Sequence, residues 1–298
     1  MSLRRVLVAA AVVTTVLAGS APAPAGTPGA RAGTSQVIGQ TSGMPAACPA
    51  YLTVVQHTTG TTPSYEVTAP GVVTSFSYES DADPGQVRAL VFTKTATNSF
   101  QLVGKSAFQT VAPSTVNTFP TRIPVPAGAL LGGQVSSSAM RCAYFPSSSG
   151  DEFKVGPFDP DTSSTMNTVG SYTGRWNISA VVESDADGDG YGDVTQDLCP
   201  QLKLAQAACP APDTTISKAP KKKSTKRKAT ITFASTVAGS TFTCVVDKKP
   251  AVSCSSPFKK KYKLGKHAVV ITATSPFGLV DPTPATVTFK VTKPKPKS

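Results

Sequence analysis

The residues best suited to chemistry lie in one short run, Ser184-Asp185-Ala186-Asp187-Gly188-Asp189-Gly190-Tyr191-Gly192-Asp193-Val194-Thr195-Gln196-Asp197-Leu198-Cys199-Pro200. Asp185, Asp187 and Asp189 alternate, so a chain curling round a point turns all three carboxylates inward. With Asp193 and Asp197 they make five aspartates within thirteen residues, which repel one another unless a hard cation collects them. A flexible loop that offers only oxygen favours Ca²⁺. Mg²⁺ demands stricter octahedral geometry, and zinc prefers nitrogen and sulfur. The bland alternative is a solvated acidic linker.

The spacing resembles an EF-hand loop over its first half. Gly190 falls where such a loop turns sharply, and Tyr191 where it offers a backbone carbonyl. The twelfth loop position, a bidentate Glu in an EF-hand, is the neutral Gln196, which leaves Asp193 and Asp197 to complete the shell. The run Asp185 to Pro200 also resembles a thrombospondin type-3 repeat, an Asp/Gly-rich calcium loop ending in Asp-x-Cys-Pro that occurs in linkers of bacterial surface proteins. Here it is a single copy without the usual internal cysteine. The resemblance implies calcium held by Asp185, Asp187, Asp189, Asp193 and Asp197.

The elements that must position this loop are strands. Only 15% of the 298 residues are charged, and 26 Pro and 23 Gly are scattered as punctuation among Ser, Thr and Val. That composition suits many short strands and turns. The expected fold is all-β: a jelly-roll-like β-sandwich over 48–183, the calcium-binding Asp-rich linker over 184–212, and an Ig-like β-sandwich over 213–291. Residues 1–25 read as an export signal, with Arg4 and Arg5 before the apolar run from Val6 to Ala18. Gly26 to Ala47 reads as a flexible leader and 292–298 as a basic tail.

Export agrees with six cysteines, since disulfides persist outside the cell. Spacing suggests Cys48 with Cys142 across the first domain, Cys199 with Cys209 closing the calcium segment, and Cys244 with Cys254 across a hairpin. In the first domain, Tyr51-Leu52-Thr53-Val54-Val55, Val72 to Tyr78, Val87 to Phe92, Leu130 to Val135 and Trp176 to Val182 are β-branched and aromatic. Trp176, Ile178, Ala180 and Val182 fall on one face of the last of these, the expected core face.

Catalysis finds little support. The two histidines, His57 and His267, lie in different domains, and no nucleophile elbow accompanies His57. Asp81, Asp83, Asp159 and Asp161 could pair as glycosidase acids, but aspartates beside Pro and Gly usually form turns. The expectation is no enzyme.

The last domain alternates as half-buried strands in Thr230 to Phe233, Ser240 to Val246, His267 to Thr274 and Ala285 to Val291. Gly239-Ser240-Thr241-Phe242-Thr243-Cys244, Cys254-Ser255-Ser256-Pro257, Leu264-Gly265-Lys266-His267 and Val280 to Ala285 are similar to motifs of bacterial Ig-like domains, found in secreted actinobacterial surface proteins. The resemblance implies an adhesive module without catalytic residues.

Charge divides the chain. Residues 26–212 hold nine Lys/Arg against fourteen Asp/Glu, a net −5, and 213–298 hold eighteen against three, a net +15. The clusters Lys221-Lys222-Lys223 and Lys226-Arg227-Lys228, with Lys259 to Lys261 and Lys263, either guard strand edges or attract a polyanion such as a cell-wall polymer or acidic polysaccharide. Lysine outnumbers arginine and no aromatic platform interleaves the runs from Lys221 to Lys228, which argues against base-specific recognition of nucleic acid. The chain therefore reads as a secreted calcium-binding surface or adhesion protein. A carbohydrate-binding or glycan-hydrolysing sandwich and a purely structural wall or matrix component are the alternatives.

Overall fold

The computed structural model describes residues 33–41, 45–47, 52–82, 84–137, 140–144 and 150–294. The expected signal sequence, the Cys48–Cys142 pair, Asp83 and the end of the basic tail lie outside the described residues or side chains. The fold is all-β. No helix among the described residues is long and apolar enough to cross a membrane.

Two sheets face each other over the first core. The smaller is ordered Ser35–Gln40, Ile178–Glu183, Gly71–Glu79, Val116–Val125. The larger runs Thr165–Asn167, Ser99–Lys105, Gln86–Ala96, Leu130–Val135, Leu52–Thr58, Glu152–Pro157, Gly170–Thr173. Ile38, Phe76, Ile178 and Val182 from one sheet meet Val54, Val91, Leu131 and Phe153 from the other. A second cluster, including Leu90, Phe92, Phe100, Phe158 and Met166, covers the outer face of the larger sheet. That double cover explains why Val87 to Phe92 is buried without interruption instead of alternating.

Two expectations need correction. The leader over 26–47 contains the strand Ser35–Gln40, whose six residues all pair with Ile178–Glu183, and a short strand Pro45–Ala47. Burial of Ile38 at that seam supplies the apolar anchor that a polar stretch otherwise lacks. Trp176 to Val182 is also not one strand. It breaks at Asn177, whose Nδ2 donates to the Glu79 carbonyl, and Arg175–Trp176 joins a separate small sheet with Arg141–Tyr144. Trp176, Ile178, Ala180 and Val182 still share the core.

The C-terminal sandwich packs a three-stranded sheet (Thr214–Lys218, Lys228–Ser235, Phe258–Lys261) on a five-stranded one. The latter is ordered Lys223–Ser224, Ala285–Val291, Gly265–Thr274, Thr241–Val246, Val252–Cys254. Ile231, Phe233, Cys244, Val269, Ile271, Val287 and Phe289 fill the space between. The Cys244–Cys254 disulfide ties two adjacent strands at a Cα separation of 5.9 Å, and Cys199–Cys209 closes the chain after the aspartate run.

Candidate metal centre

The aspartate loop is built onto the end of the first sandwich. Its anchor is Glu183, the last residue of the Ile178–Glu183 strand and only 2% exposed. The Glu183 carboxylate accepts the Val194 and Thr195 amides and the hydroxyls of Thr195 and Thr74. Burial opposes its ionisation, yet these four donors outweigh it and hold its pKa below the usual value. Gly192 lets the returning chain approach this closely, because a Cβ there would sit 2.5 Å from both Glu183 Oε2 and Thr74 Cγ2. Gln196 Nε2 donates to the Thr121 carbonyl, and the Arg122 guanidinium lies 4.2 Å from the centre of the Tyr191 ring.

Within the loop the five aspartates divide by role. Asp185 accepts amides from Gly188, Asp189 and Gly190, the last in the left-handed region at φ +86° that favours glycine. Asp189 accepts the Tyr191 amide and, on its other oxygen, Gln206 Nε2 at 2.7 Å. Asp193 staples the loop's beginning, taking the Ser184 hydroxyl at 2.7 Å and the Ala186 amide. Asp187 and Asp197 differ. Asp187 Oδ2 and Asp197 Oδ2 are buried without any hydrogen-bond partner, and Asp197 is 1% exposed as a residue.

One carboxylate oxygen from each of Asp185, Asp187 and Asp189 lies within 4.8 Å of the others. The electrostatics follow the geometry. Desolvation, then the charges of Asp189, Asp197 and Asp185, push the Asp187 carboxyl above its usual pKa. Asp197 rises for the same first reason, with Asp189, Asp193 and Asp185 adding to it. Buried carboxylate oxygens without donors are costly, and a cation held by oxygen ligands removes that cost. The donor set is all oxygen and fits a hard divalent ion.

The structure brings Asp185, Asp187 and Asp189 together as the alternation predicts. It assigns Gln196 elsewhere, because its Oε1 accepts the Gly192 amide and its Nε2 is spent on Thr121. Asp193 is engaged by Ser184 and Ala186. Glu183, Ser184 and Gln206 escaped the sequence reading. The signal was available in part, since an acid ending an apolar strand just before an acidic run must be neutralised by something.

Two of the other candidate acids, Asp159 and Asp161, are committed elsewhere. Asp161 is ion-paired with Arg88 and Lys105, which hold its pKa down, and Asp159 caps its own turn at Asp161 and Thr162. A cleft of about 760 Å³ beside them is lined by Arg88, Phe108 and Gln134, but Arg88 is already bound to Gln134 and stacked on Phe108. His57 faces Lys94 at 3.4 Å, and burial followed by that charge lowers its pKa.

The basic sequence clusters separate in space. Lys222 and Lys223 flank the five-stranded sheet, where the Lys222 carbonyl accepts the Lys290 amide. Arg227 and Lys228 turn to the other sheet, Arg227 Nε bonding the Tyr262 carbonyl and Lys228 standing opposite Lys261. Lys226 donates its amide to Ser224, and Lys221 is exposed.

No protein-family model matches the chain, and no curated protein matches it. Among solved structures, the fibronectin(III)-like modules of Clostridium thermocellum CbhA are similar with a TM-score of 0.24 and 12% sequence identity, over 87% of this chain and 95% of that one.

Proposed function

We propose that this is an exported, calcium-binding, non-catalytic binding protein whose basic C-terminal sandwich contacts a polyanion at or beyond the cell surface. The observation that carries the calcium reading is the pair of buried, unpartnered oxygens on Asp187 and Asp197, the first of them in the cluster with Asp185 and Asp189 and the second within reach of the charges of Asp185, Asp189 and Asp193. Asp185, Asp187, Asp189 and Asp197 would hold the ion, with Asp193 bracing the loop that presents them. Two disulfides among the described residues, Cys199–Cys209 and Cys244–Cys254, support an oxidising compartment. The polyanion reading is supported by the net +15 of residues 213–298.

Calorimetric titration of the exported chain tests the metal site. Ca²⁺ should give saturable binding and Mg²⁺ a weaker response. Asp187→Asn and Asp197→Asn should each weaken Ca²⁺ by roughly tenfold or more, about 1.4 kcal/mol. Glu66→Gln, remote from the loop, should leave it unchanged. A chain that takes up no calcium, with melting indifferent to the ion, sinks the reading.

A further inference from the structure

The C-terminal sandwich carries a row of cations that no stretch of sequence displays. Register sets Lys266 directly opposite Lys290, and the parallel strand Lys223–Ser224 sets Lys223 beside Lys290. Opposed residues on paired strands share a face, so three ammonium groups cross three adjacent strands spaced about 4.8 Å apart. Like charges placed opposite one another destabilise a sheet. Edge protection explains the opposed pair Lys228 and Lys261, since Phe258–Lys261 is an outer strand. It cannot explain Lys266 and Lys290, whose strands are paired on both sides.

The row lines a groove of about 660 Å³, joined by Lys222, Lys248 and His267. Lys248 reaches it from a turn in which it holds φ +62°, a conformation where glycine is the default. The groove's carboxylate is not free to neutralise them. Asp247 Oδ1 accepts the Ala268 amide, and its Oδ2 pairs with His267 Nδ1 at 2.8 Å. Among the described residues, none of the five lysines is in an ion pair.

We infer that this groove is the binding site for a linear acidic polysaccharide, whose successive oxyanions meet Lys223, Lys290 and Lys266 in turn. The inference rests on the polyanion reading above and gives that reading its site. The strand spacing is comparable to the length of one sugar unit, so a chain laid across the strands presents one anion to each lysine. Lysine supplies point charges where arginine would select planar, bidentate partners. The groove's aromatic ring, Phe289, is 4% exposed, which leaves no open platform on which a base could stack.

Heparin serves as the acidic polysaccharide, and titrations of the full exported chain at several salt concentrations measure its affinity. The triple variant Lys223→Gln, Lys266→Gln, Lys290→Gln should weaken binding roughly tenfold or more and flatten the salt dependence. The matched triple Lys259→Gln, Lys260→Gln, Lys261→Gln removes the same charge from the outer strand and should change affinity only about twofold. Melting of both variants shows that each remains folded. Equal losses in the two triples overturn the groove while the polyanion reading stands on net charge alone. Wild-type protein that ignores heparin at all salts overturns both. Tighter binding of duplex DNA, lost in the groove triple, assigns the site to nucleic acid and overturns the polysaccharide.

Discussion

The aspartate loop and the lysine groove are both surpluses of one sign, yet they pose opposite physical problems. In the loop, carboxylate oxygens are driven out of water on the end of the first sandwich, and two of them have nothing to accept from. In the groove the lysines remain exposed. A buried unpaired charge is a defect that the folded chain must cure, with a proton or an ion. An exposed row costs little by itself and acts at a distance on whatever carries the opposite sign. On the function proposed above, calcium would serve the stability of the first region, and a polyanion the recognition by the second.

The largest expected effect breaks or sharpens that division directly. The loop is bonded through Glu183, Gln196 and Arg122 to the first sandwich. Calcium at about one hundred times its dissociation constant should therefore stabilise that sandwich by about 2.7 kcal/mol. In a domain of this size the gain appears as a rise of roughly 5–10 °C in one melting transition. Scanning calorimetry with calcium and with a chelator should show that transition move while that of the C-terminal sandwich, followed by its own transition in a separate 213–298 reference scan, stays put. If both move together, the ion stiffens a joint between the sandwiches instead.

What the sequence made legible follows a simple line. Leu130–Val135 and Ala285–Val291 are read at their true bounds because apolar residues and turn formers coincide there. Val116–Val125 is opaque because Pro120 and Pro124 argue against a strand. It survives by lying at the outside of its sheet, where missing amide donors are tolerated. Ser35–Gln40 is opaque for another reason: its partner, Ile178–Glu183, lies far along the chain and nothing local announces the pairing. The carboxylate cluster was visible in the spacing of Asp185, Asp187 and Asp189. The division of labour among the aspartates depends in part on Gln206, which only the folded backbone brings to Asp189. The groove was hidden altogether, since Lys223, Lys266 and Lys290 are neighbours by register and strangers by sequence.

An intermediate effect concerns pH and the C-terminal sandwich alone. Both ring nitrogens of His267 face acceptors at 2.8 Å, Asp247 Oδ2 and the Lys263 carbonyl, so only the imidazolium satisfies both. Burial opposes the charge, but these two acceptors prevail and raise the His267 pKa, while the pair lowers that of Asp247 against its own desolvation. Nearby Tyr262, pushed up to about 12 by burial and then by Asp247, stays neutral. A histidine whose folded pKa is raised contributes its full stabilisation below its unfolded value, about 6.5, and loses it as pH rises through the folded value. Asp247 contributes above its unfolded value, about 3.9, and is lost as pH falls through its depressed one. The melting gap between wild type and Asp247→Asn should thus be widest below about pH 6.5, while Asp247 stays ionised, and narrow as pH rises through the raised His267 value. A gap that widens with pH contradicts the pairing.

The smallest effect has the opposite sign from most substitutions. If Lys290 is kept for a ligand and not for the sheet, replacing it should relieve repulsion from both Lys266 and Lys223. Lys290→Thr also places a β-branched residue in a strand, which fits a pleated surface well. Both changes favour the fold, by about 0.2–1 kcal/mol for each like-charged pair removed. Denaturant unfolding of the C-terminal transition should therefore shift to higher midpoint in Lys290→Thr at low salt, and the gain should shrink as salt screens the row. The same variant should bind heparin more weakly. Gain of stability joined to loss of binding separates a residue held for recognition from one held for structure, and a destabilised Lys290→Thr would return the lysine row to the sheet.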